Sequence, residues 1–211
     1  MDGIKNVSPY ASGRLLDIGC GTKPYEPFLK VESYEGLEIE SSNNLHQTKH
    51  DSLYDGQNLP FVSDSFDTII STQVLEHSFN PDKLLSEIQR VLKPHSYLIL
   101  TVPFIWDEHE QPYDYARYTS FGIIHLLEKN NLEVIIHEKL CTGIPCLVQI
   151  LNVYIYKIIL SKLKIPKIFH KFIYLTLNII GFGAQHLIPK SDDMYLDNLV
   201  VAKKITPPQS N

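Results

Sequence analysis

The sequence predicts an α/β protein with an open, mostly parallel sheet covered by helices on both faces. Strand-like runs at Arg14 to Ile18, Tyr34 to Ile39, Thr68 to Thr72, Tyr97 to Val102 and Leu132 to His137 are separated by helix-like or loop stretches, the pattern of strands joined by crossovers. The stretch LLDIGCGTKP, Leu15 to Pro24, is a continuous apolar strand that ends in an acid and two glycines and then runs into a helix start. Past the carboxyl end of such a buried strand the backbone turns sharply and lets a ligand come close.

Gly19 and Gly21 permit that turn and that approach. A dinucleotide-binding loop needs a third small residue at the sixth position, which here is Pro24, so NAD and FAD are disfavoured. Asp17 stands at the strand end, where a carboxylate accepts from a ligand ammonium and repels a phosphate. That chemistry suits the amino acid end of S-adenosylmethionine.

Asn80-Pro81-Asp82 opens a helix, and Leu84, Leu85, Ile88, Val91 and Leu92 repeat at helical spacing up to Lys93-Pro94. Thr119 or Ser120 caps another, with Ile123, Ile124, Leu126 and Leu127 apolar and Asn130-Asn131 as the stop. A final strand is expected at Tyr195 to Ala202. Ile144 to Leu187 is too long for a loop in a compact domain. Leu147, Leu151, Ile155, Ile158 and Ile159 form one helical stripe, Ile168, Phe172, Leu175 and Ile179 another, and Pro166 breaks the two apart. This reads as a helical hairpin.

Length and composition give one domain over residues 1–211, with the hairpin at 144–187 as an insertion. Cys20, Cys141 and Cys146 form no metal-ligand or disulfide framework, and Asp2, Lys5 and Asn6 interrupt any secretory start, so a cytoplasmic protein is expected. The net charge of −5 hides an asymmetry: between Glu138 and Asp192 lie seven lysines and no acid. Asn152, Lys157 and Asn178 interrupt the apolar runs, which argues against a membrane span. Lysines flanking apolar faces suit a helix lying on the anionic inner face of a membrane. A cap over the substrate cleft and a homodimer interface are the alternative uses of the hairpin.

The ordered series of motifs resembles a class I S-adenosylmethionine-dependent methyltransferase of the small type 11 kind over Leu15 to about Leu140. After the glycine loop come SYEGLEIE (Ser33 to Glu40), DGQNLPF (Asp55 to Phe61), DSFDTIISTQVLEH (Asp64 to His77) and EIQRVLKPHSYLILTVPF (Glu87 to Phe104). The resemblance implies a Rossmann-like three-layer sandwich, with a mostly parallel seven-stranded sheet whose last strand is antiparallel. It implies S-adenosyl-L-methionine as cofactor and S-adenosyl-L-homocysteine as product. The implied cofactor residues are Asp17 and the loop Gly19, Cys20 and Gly21. Glu38 would take the ribose hydroxyls beside Ile39, with Glu40 as rival. Asp55 and Gly56 would flank the adenine, with Asp51 as rival, and Thr72 and Gln73 would touch the methionine portion. Glu76-His77 is expected to hold its loop. His95-Ser96 stands where the family has two glycines, which puts the shape of that turn in doubt.

On the substrate side, WDEHEQPYDYARYTSFG, Trp106 to Gly122, follows the fifth strand and gathers acids, tyrosines and a histidine that should overhang the methyl group. His109 is the candidate general base, with Asp107, Glu108 or Glu110 to orient it. Trp106, Tyr113, Asp114, Arg117 and Tyr118 would shape or bind the acceptor. The spacing of Asp107, His109 and Asp114 is not diagnostic of a metal, and none is assigned. STQVL at Ser71 to Leu75 lacks the Asn-Pro-Pro-aromatic motif of base amino-methylation, and no basic, aromatic-rich groove is legible, so nucleic acid is disfavoured. The reading is methyl transfer to oxygen or carbon of a small metabolite, sugar, quinone-type or lipid-linked acceptor. The alternative is a cofactor-binding pseudo-methyltransferase serving as a partner subunit or membrane-surface scaffold.

Overall fold

The structure is a computed structural model, which describes residues 1–41, 45–160, 162 and 166–205. Twelve principal elements follow in order: α1 (Asp2–Val7), β1 (Arg14–Ile18), β2 (Ser33–Ile39), β3 (Ser52–Tyr54), β4 (Phe66–Thr72), α2 (Pro81–Val91), β5 (Leu92–Pro103), α3 (Ser120–Lys129), β6 (Leu132–Leu140), α4 (Ile144–Tyr154), α5 (Lys167–Ala184) and β7 (Asp197–Lys204). They build a seven-stranded sheet in the order β3-β2-β1-β4-β5-β7-β6. β1 pairs in parallel with β2 and β4, β2 with β3, and β4 with β5. β7 runs antiparallel: its Leu196 side donates to Leu140 O and its Ile205 side to Asn131 O, so the residue numbers fall on one strand as they rise on the other.

Both faces of the sheet are buried. Leu16, Ile18, Ile69, Leu98, Leu100, Val102, Val200 and Ala202 join Leu84, Leu85, Ile88 and Val91 of α2 and Ile123 and Leu127 of α3 in one core cluster. Leu15, Ile70, Ile99, Leu199 and Val201 are buried with the opposite pleat parity. The N-terminal segment lies on that second face: the Tyr10 ring meets Tyr97 edge-on at 5.3 Å, and Thr68 Oγ1 accepts from Ser12 N–H. Asn80 caps α2 by accepting from Lys83 N–H, and Thr119 caps α3 by accepting from Gly122 N–H.

Two expectations need correction. No α-helix follows the glycine loop, only a short helical turn at Glu26–Phe28. Pro24 and Pro27 restrict the residues before them, and Lys23 has φ +55, so helical hydrogen bonding cannot propagate. His95-Ser96 forms no chain-reversing turn either: α2 passes directly into β5, with His95 at φ +63 inside the strand.

The chain divides into two compact units, Met1–Glu138 with Asn198–Asn211, and Lys139–Asp197. In the second unit α4 continues as a π-helical stretch at Ile155–Leu160 before α5. The pair is packed inside out. Between the helices, the bare Gly181 faces Val148, Asn152 Nδ2 donates to Asn178 Oδ1 at 3.5 Å, and the Tyr156 ring meets His170 edge-on and Tyr174 at a tilt. Outward, Phe172, Leu175, Ile179 and Phe182 form a row at helical spacing, each more than half exposed, with Leu147 and Leu151 of α4 also exposed. Lys164 and the side chains of Ile158, Ile159, Lys167 and Ile168, part of the expected stripes and lysine set, lie outside the described residues.

Candidate active site

The carboxyl ends of β1, β2, β4 and β5 carry the polar residues expected from the sequence. Gly19 (φ +69) and Gly21 (φ +49) turn the chain out of β1, and the N–H groups of Gly19 and Cys20 both donate to Leu37 O of β2. Gly21 N–H donates to Glu38 Oε2 at 3.2 Å, and Ile39 N–H to Glu38 Oε1 at 3.2 Å. Glu38 thus closes the loop from the neighbouring strand end. Gly56 (φ +82) brings its turn against Ile39, where a Cβ would stand 2.8 Å from Ile39 Cδ1. Cys20 is buried, which pushes its thiol up to about 12 and leaves it unreactive as a nucleophile.

Asp17 is the electrostatic centre of this end. Its carboxyl is 1% exposed, Tyr34 Oη donates to Oδ2 at 2.5 Å, and Oδ1 is buried with no hydrogen-bond partner. Burial pushes its pKa up to about 7, against the Tyr34 hydrogen bond and with the help of the Glu38 charge. A buried carboxylate oxygen without a partner beside a glycine loop has the chemistry to accept from a cation with hydrogens to donate.

The two rivals for the adenine-facing acid differ. Asp51 lies beneath the glycine loop, accepting from Lys23 Nζ at 2.5 Å and Gly36 N–H at 2.7 Å; its own burial opposes these bonds, yet its pKa is lowered. Asp55 is exposed and accepts from the N–H groups of Asn58 and Gln57 and from Asn58 Nδ2, which hold its carboxyl low. Past β4, Gln73 (φ +56) is anchored to β5, its N–H donating to Thr101 O and its Nε2 to Thr101 Oγ1. Thr72 beside it is half-buried.

A Cβ at Gly19 would sit 2.4 Å from Val74 Cγ2, whereas one at Gly21 meets nothing within 4 Å. Gly19→Ala therefore adds a clash to the cost of a left-handed backbone, about 1–2 kcal/mol by itself, and should lower both thermal stability and ligand affinity. Gly21→Ala should cost only the backbone term in the ligand-free protein and lose affinity because its methyl occupies the ligand's approach. Melting curves with and without S-adenosylhomocysteine separate the two.

Residues 104–119 fold over the short helical turn Leu75–His77, with Tyr115 N–H donating to Glu76 O and Tyr118 Oη to Leu75 O. Arg117 forks onto Asp114, Nη1 to Oδ1 at 2.5 Å and Nη2 to Oδ2 at 2.7 Å, and also donates to the carbonyls of Trp106, Asp107 and Ala116. Asp114 and Arg117 are thus the clamp of the loop, and Arg117 holds the Asp114 carboxyl well below the usual carboxylate range. Burial pushes the Tyr118 hydroxyl up to about 12, while Trp106 is half-buried and Tyr113 exposed. His109 Nδ1 lies 3.2 Å from Asp107 O and 3.3 Å from Asp114 Oδ2. The carboxylate that orients it is Asp114, not those of Asp107, Glu108 or Glu110, because the Arg117 fork brings Asp114 under the ring. Sequence reasoning missed the partner of His109: the His77 ring stands edge-on to it, centroids 4.8 Å apart, beside the fully buried Glu76. The only sequence signal was LEH, read as a loop holder.

A family model described as a methyltransferase domain matches residues 2–139. The chain belongs to this family. Its sheet order, with an antiparallel last strand, is the class I arrangement of such methyltransferases. Among curated relatives, the biotin biosynthesis bifunctional protein BioHC of Teredinibacter turnerae is 36% identical over 107 residues, 41% of this chain and 19% of the relative. The thiol S-methyltransferase TMT1B of Rattus norvegicus is 31% identical over 112 residues, 46% of this chain and 43% of the relative. The fatty-acid O-methyltransferase of Mycolicibacterium smegmatis is 28% identical over 99 residues, 42% of this chain and 36% of the relative. In each case the match spans under half the relative's length. Among solved structures, YcgJ of Bacillus subtilis aligns at TM-score 0.56 and 16% identity over 97% of this chain and 99% of that one. Phosphoethanolamine N-methyltransferase 2 of Haemonchus contortus, in complex with S-adenosyl-L-methionine, aligns at 0.55 and 19% over 97% and 52%. The cyclase SpnF aligns at 0.56 and 18% over 97% and 82%. The methyltransferase domain therefore shares its fold with a protein named for another reaction, and its chemistry must be argued from its site.

Proposed function

We propose that the protein transfers a methyl group from S-adenosylmethionine to an oxygen or carbon of a small or lipid-linked acceptor. The observation that carries the reading is Asp17 Oδ1, buried and unbonded two residues before the glycine loop. Asp17 would take the cofactor's ammonium, and the turn Gly19, Cys20 and Gly21 would let its backbone approach closely. Glu38 would accept the ribose hydroxyls on lone pairs left by Gly21 and Ile39. Ile39, Asp55 and Gly56 would border the adenine, and Thr72 and Gln73 the methionine end. When bound, the sulfonium supplies an electrophilic methyl carbon. The protein's part is to align the acceptor with it and to exclude water, tasks that fall to the clamped loop with Trp106, Tyr113 and Tyr118. His109, when its Nε2 carries no other ligand, would act as base for a hydroxyl acceptor.

The inside-out α4–α5 pair favours a lipid-linked acceptor over a freely soluble one. Among the described residues no helix is long and apolar enough to cross a membrane, so the exposed row Phe172, Leu175, Ile179 and Phe182 would lie in the interface of an anionic bilayer. Exposed Lys157, Lys162, Lys171 and Lys190 would each contribute about 1 kcal/mol near the surface. A cytoplasmic protein at the inner membrane face is the corresponding location.

Two measurements test this. Calorimetric titration with S-adenosylhomocysteine should show one saturable site per chain, and its absence in folded protein moves the reading to a scaffold. Co-sedimentation with anionic vesicles should be strong, weaken with salt, and vanish when Phe172, Leu175 and Ile179 are all replaced by Ser. A concentration-dependent dimer with no vesicle binding would assign the apolar row to self-association instead.

A further inference from the structure

We propose that Glu76, His77 and His109 form a binding site for a divalent transition cation of the zinc class, with Glu110 as an outer ligand. One ligand atom from each of the first three residues lies within 4.8 Å of the others. His77 Nε2 stands 3.9 Å from Glu76 Oε1 and 3.9 Å from Glu110 Oε2. Two donors on one tetrahedral zinc ion stand about 3.4 Å apart, since Zn–N and Zn–O bonds run to about 2.0–2.2 Å. Side-chain movements of about 1.5 Å therefore close the set.

The hydrogen bonds behind the two rings give them the same polarity. His77 Nδ1 lies 2.8 Å from Tyr113 O, and a carbonyl only accepts, so Nδ1 carries the hydrogen and Nε2 the lone pair. His109 Nδ1 faces Asp107 O, a carbonyl that only accepts, and Asp114 Oδ2, which the Arg117 fork holds in place. Its Nε2 is bare for the same reason. Two imidazoles whose Nδ1 hydrogens are tied to a carbonyl and a carboxylate, leaving Nε2 for a metal, match the way proteins orient histidine ligands. The third donor is a fully buried carboxylate. Imidazole nitrogen with carboxylate oxygen selects zinc, cobalt or nickel over magnesium and calcium, which prefer all-oxygen shells. The mixed set also differs from Asp107, His109 and Asp114, whose spacing alone gave no reason for a metal: Asp114 is taken by Arg117, and its work is to orient His109.

The site joins the turn after β4 to the loop after β5, so an ion there ties residues 104–119 down and presents an open coordination position to solvent, His77 and His109 being half-buried. The proposal does not depend on methyl transfer, and its test needs no cofactor. The full chain is stripped with chelator and titrated with Co²⁺, following visible d–d absorption, and with Zn²⁺ by calorimetry. The expected result is one ion per chain, weakened at least about tenfold in His77→Asn and in His109→Asn and unchanged in His125→Asn, an exposed histidine on α3. On the wild type, Co²⁺ should shift the ring NMR signals of His77 and His109 before those of other histidines, a readout that does not rely on the variants folding. No absorption in the wild type, or binding unmoved by both substitutions, or shifts confined to other histidines, would overturn the site.

Discussion

Asp17→Asn should weaken S-adenosylhomocysteine binding about 100-fold or more while leaving the ligand-free protein as stable as the wild type or more so. The two effects have one cause. The carboxyl is buried at 1% exposure with a single hydrogen bond, from Tyr34, and burial favours its protonated form up to about pH 7. The folded pKa lies above the unfolded value of 3.8, so the stability contributed by the protonated form is fully present below about pH 3.8 and is lost as the pH rises through about 7. The amide cannot ionise and keeps an acceptor for Tyr34, so the variant escapes that loss, and its advantage in melting temperature should widen between those two pH values. Binding moves the other way. Removing one partner of a buried charge pair costs about 3–5 kcal/mol, a loss of about 100-fold or more in affinity. Wild-type affinity should also fall by about tenfold per pH unit below about 7, because the ligand ammonium must first find the carboxylate ionised. A pH-independent wild-type affinity, or a variant that binds normally, would remove Asp17 from the site.

Arg117→Ala should have the largest effect on stability. It leaves Asp114, whose side chain is 3% exposed, as a buried charge without its fork, and it strips donors from the carbonyls of Trp106, Asp107 and Ala116. A cost of about 3–5 kcal/mol corresponds to a fall in melting temperature on the order of 10 °C. Arg117→Lys should recover little of it, since an ammonium cannot span both carboxylate oxygens. S-adenosylhomocysteine affinity should change less than acceptor turnover, because the hydrogen bonds that set the glycine loop and Glu38 run to β2 and not to this clamp. Equal loss of both would show that residues 104–119 also support the cofactor side.

The parallel core was legible because its strands are apolar throughout: Leu15, Leu16 and Ile18 are fully buried, and that run cannot be mistaken for a surface segment. α2 was legible from its Asn80 cap and proline start, and α5 from Pro166. β3 was not, since Ser52–Tyr54 is a three-residue edge strand with one buried side chain, too short to carry a period. α1 escaped for a similar reason, with only Ile4 and Val7 buried in six residues. No helix follows the glycine loop, because Pro24 and Pro27 interrupt the strand-turn-helix pattern that the two glycines announce. At the site, Asp17 and Glu38 could be placed from strand ends, since the end of a parallel strand is a fixed address. The meeting of His77 with His109 could not, because it depends on how an irregular loop folds back, and that is decided by the Arg117 fork rather than by any local spacing.

The bonds from Gly143 N–H to Met194 O and from Leu196 N–H to Leu140 O bring the two ends of the α4–α5 segment side by side at the mouth of an antiparallel strand pair. A chain entering and leaving through such a gate behaves as a cassette. Excising it and joining the gateposts by a short turn would leave β6 and β7 paired as a simple hairpin, and exchanging it would cost little more than the closure entropy of a loop of different length. The segment can therefore be lengthened, shortened or replaced without the sheet, the glycine loop or Asp17 having to change with it.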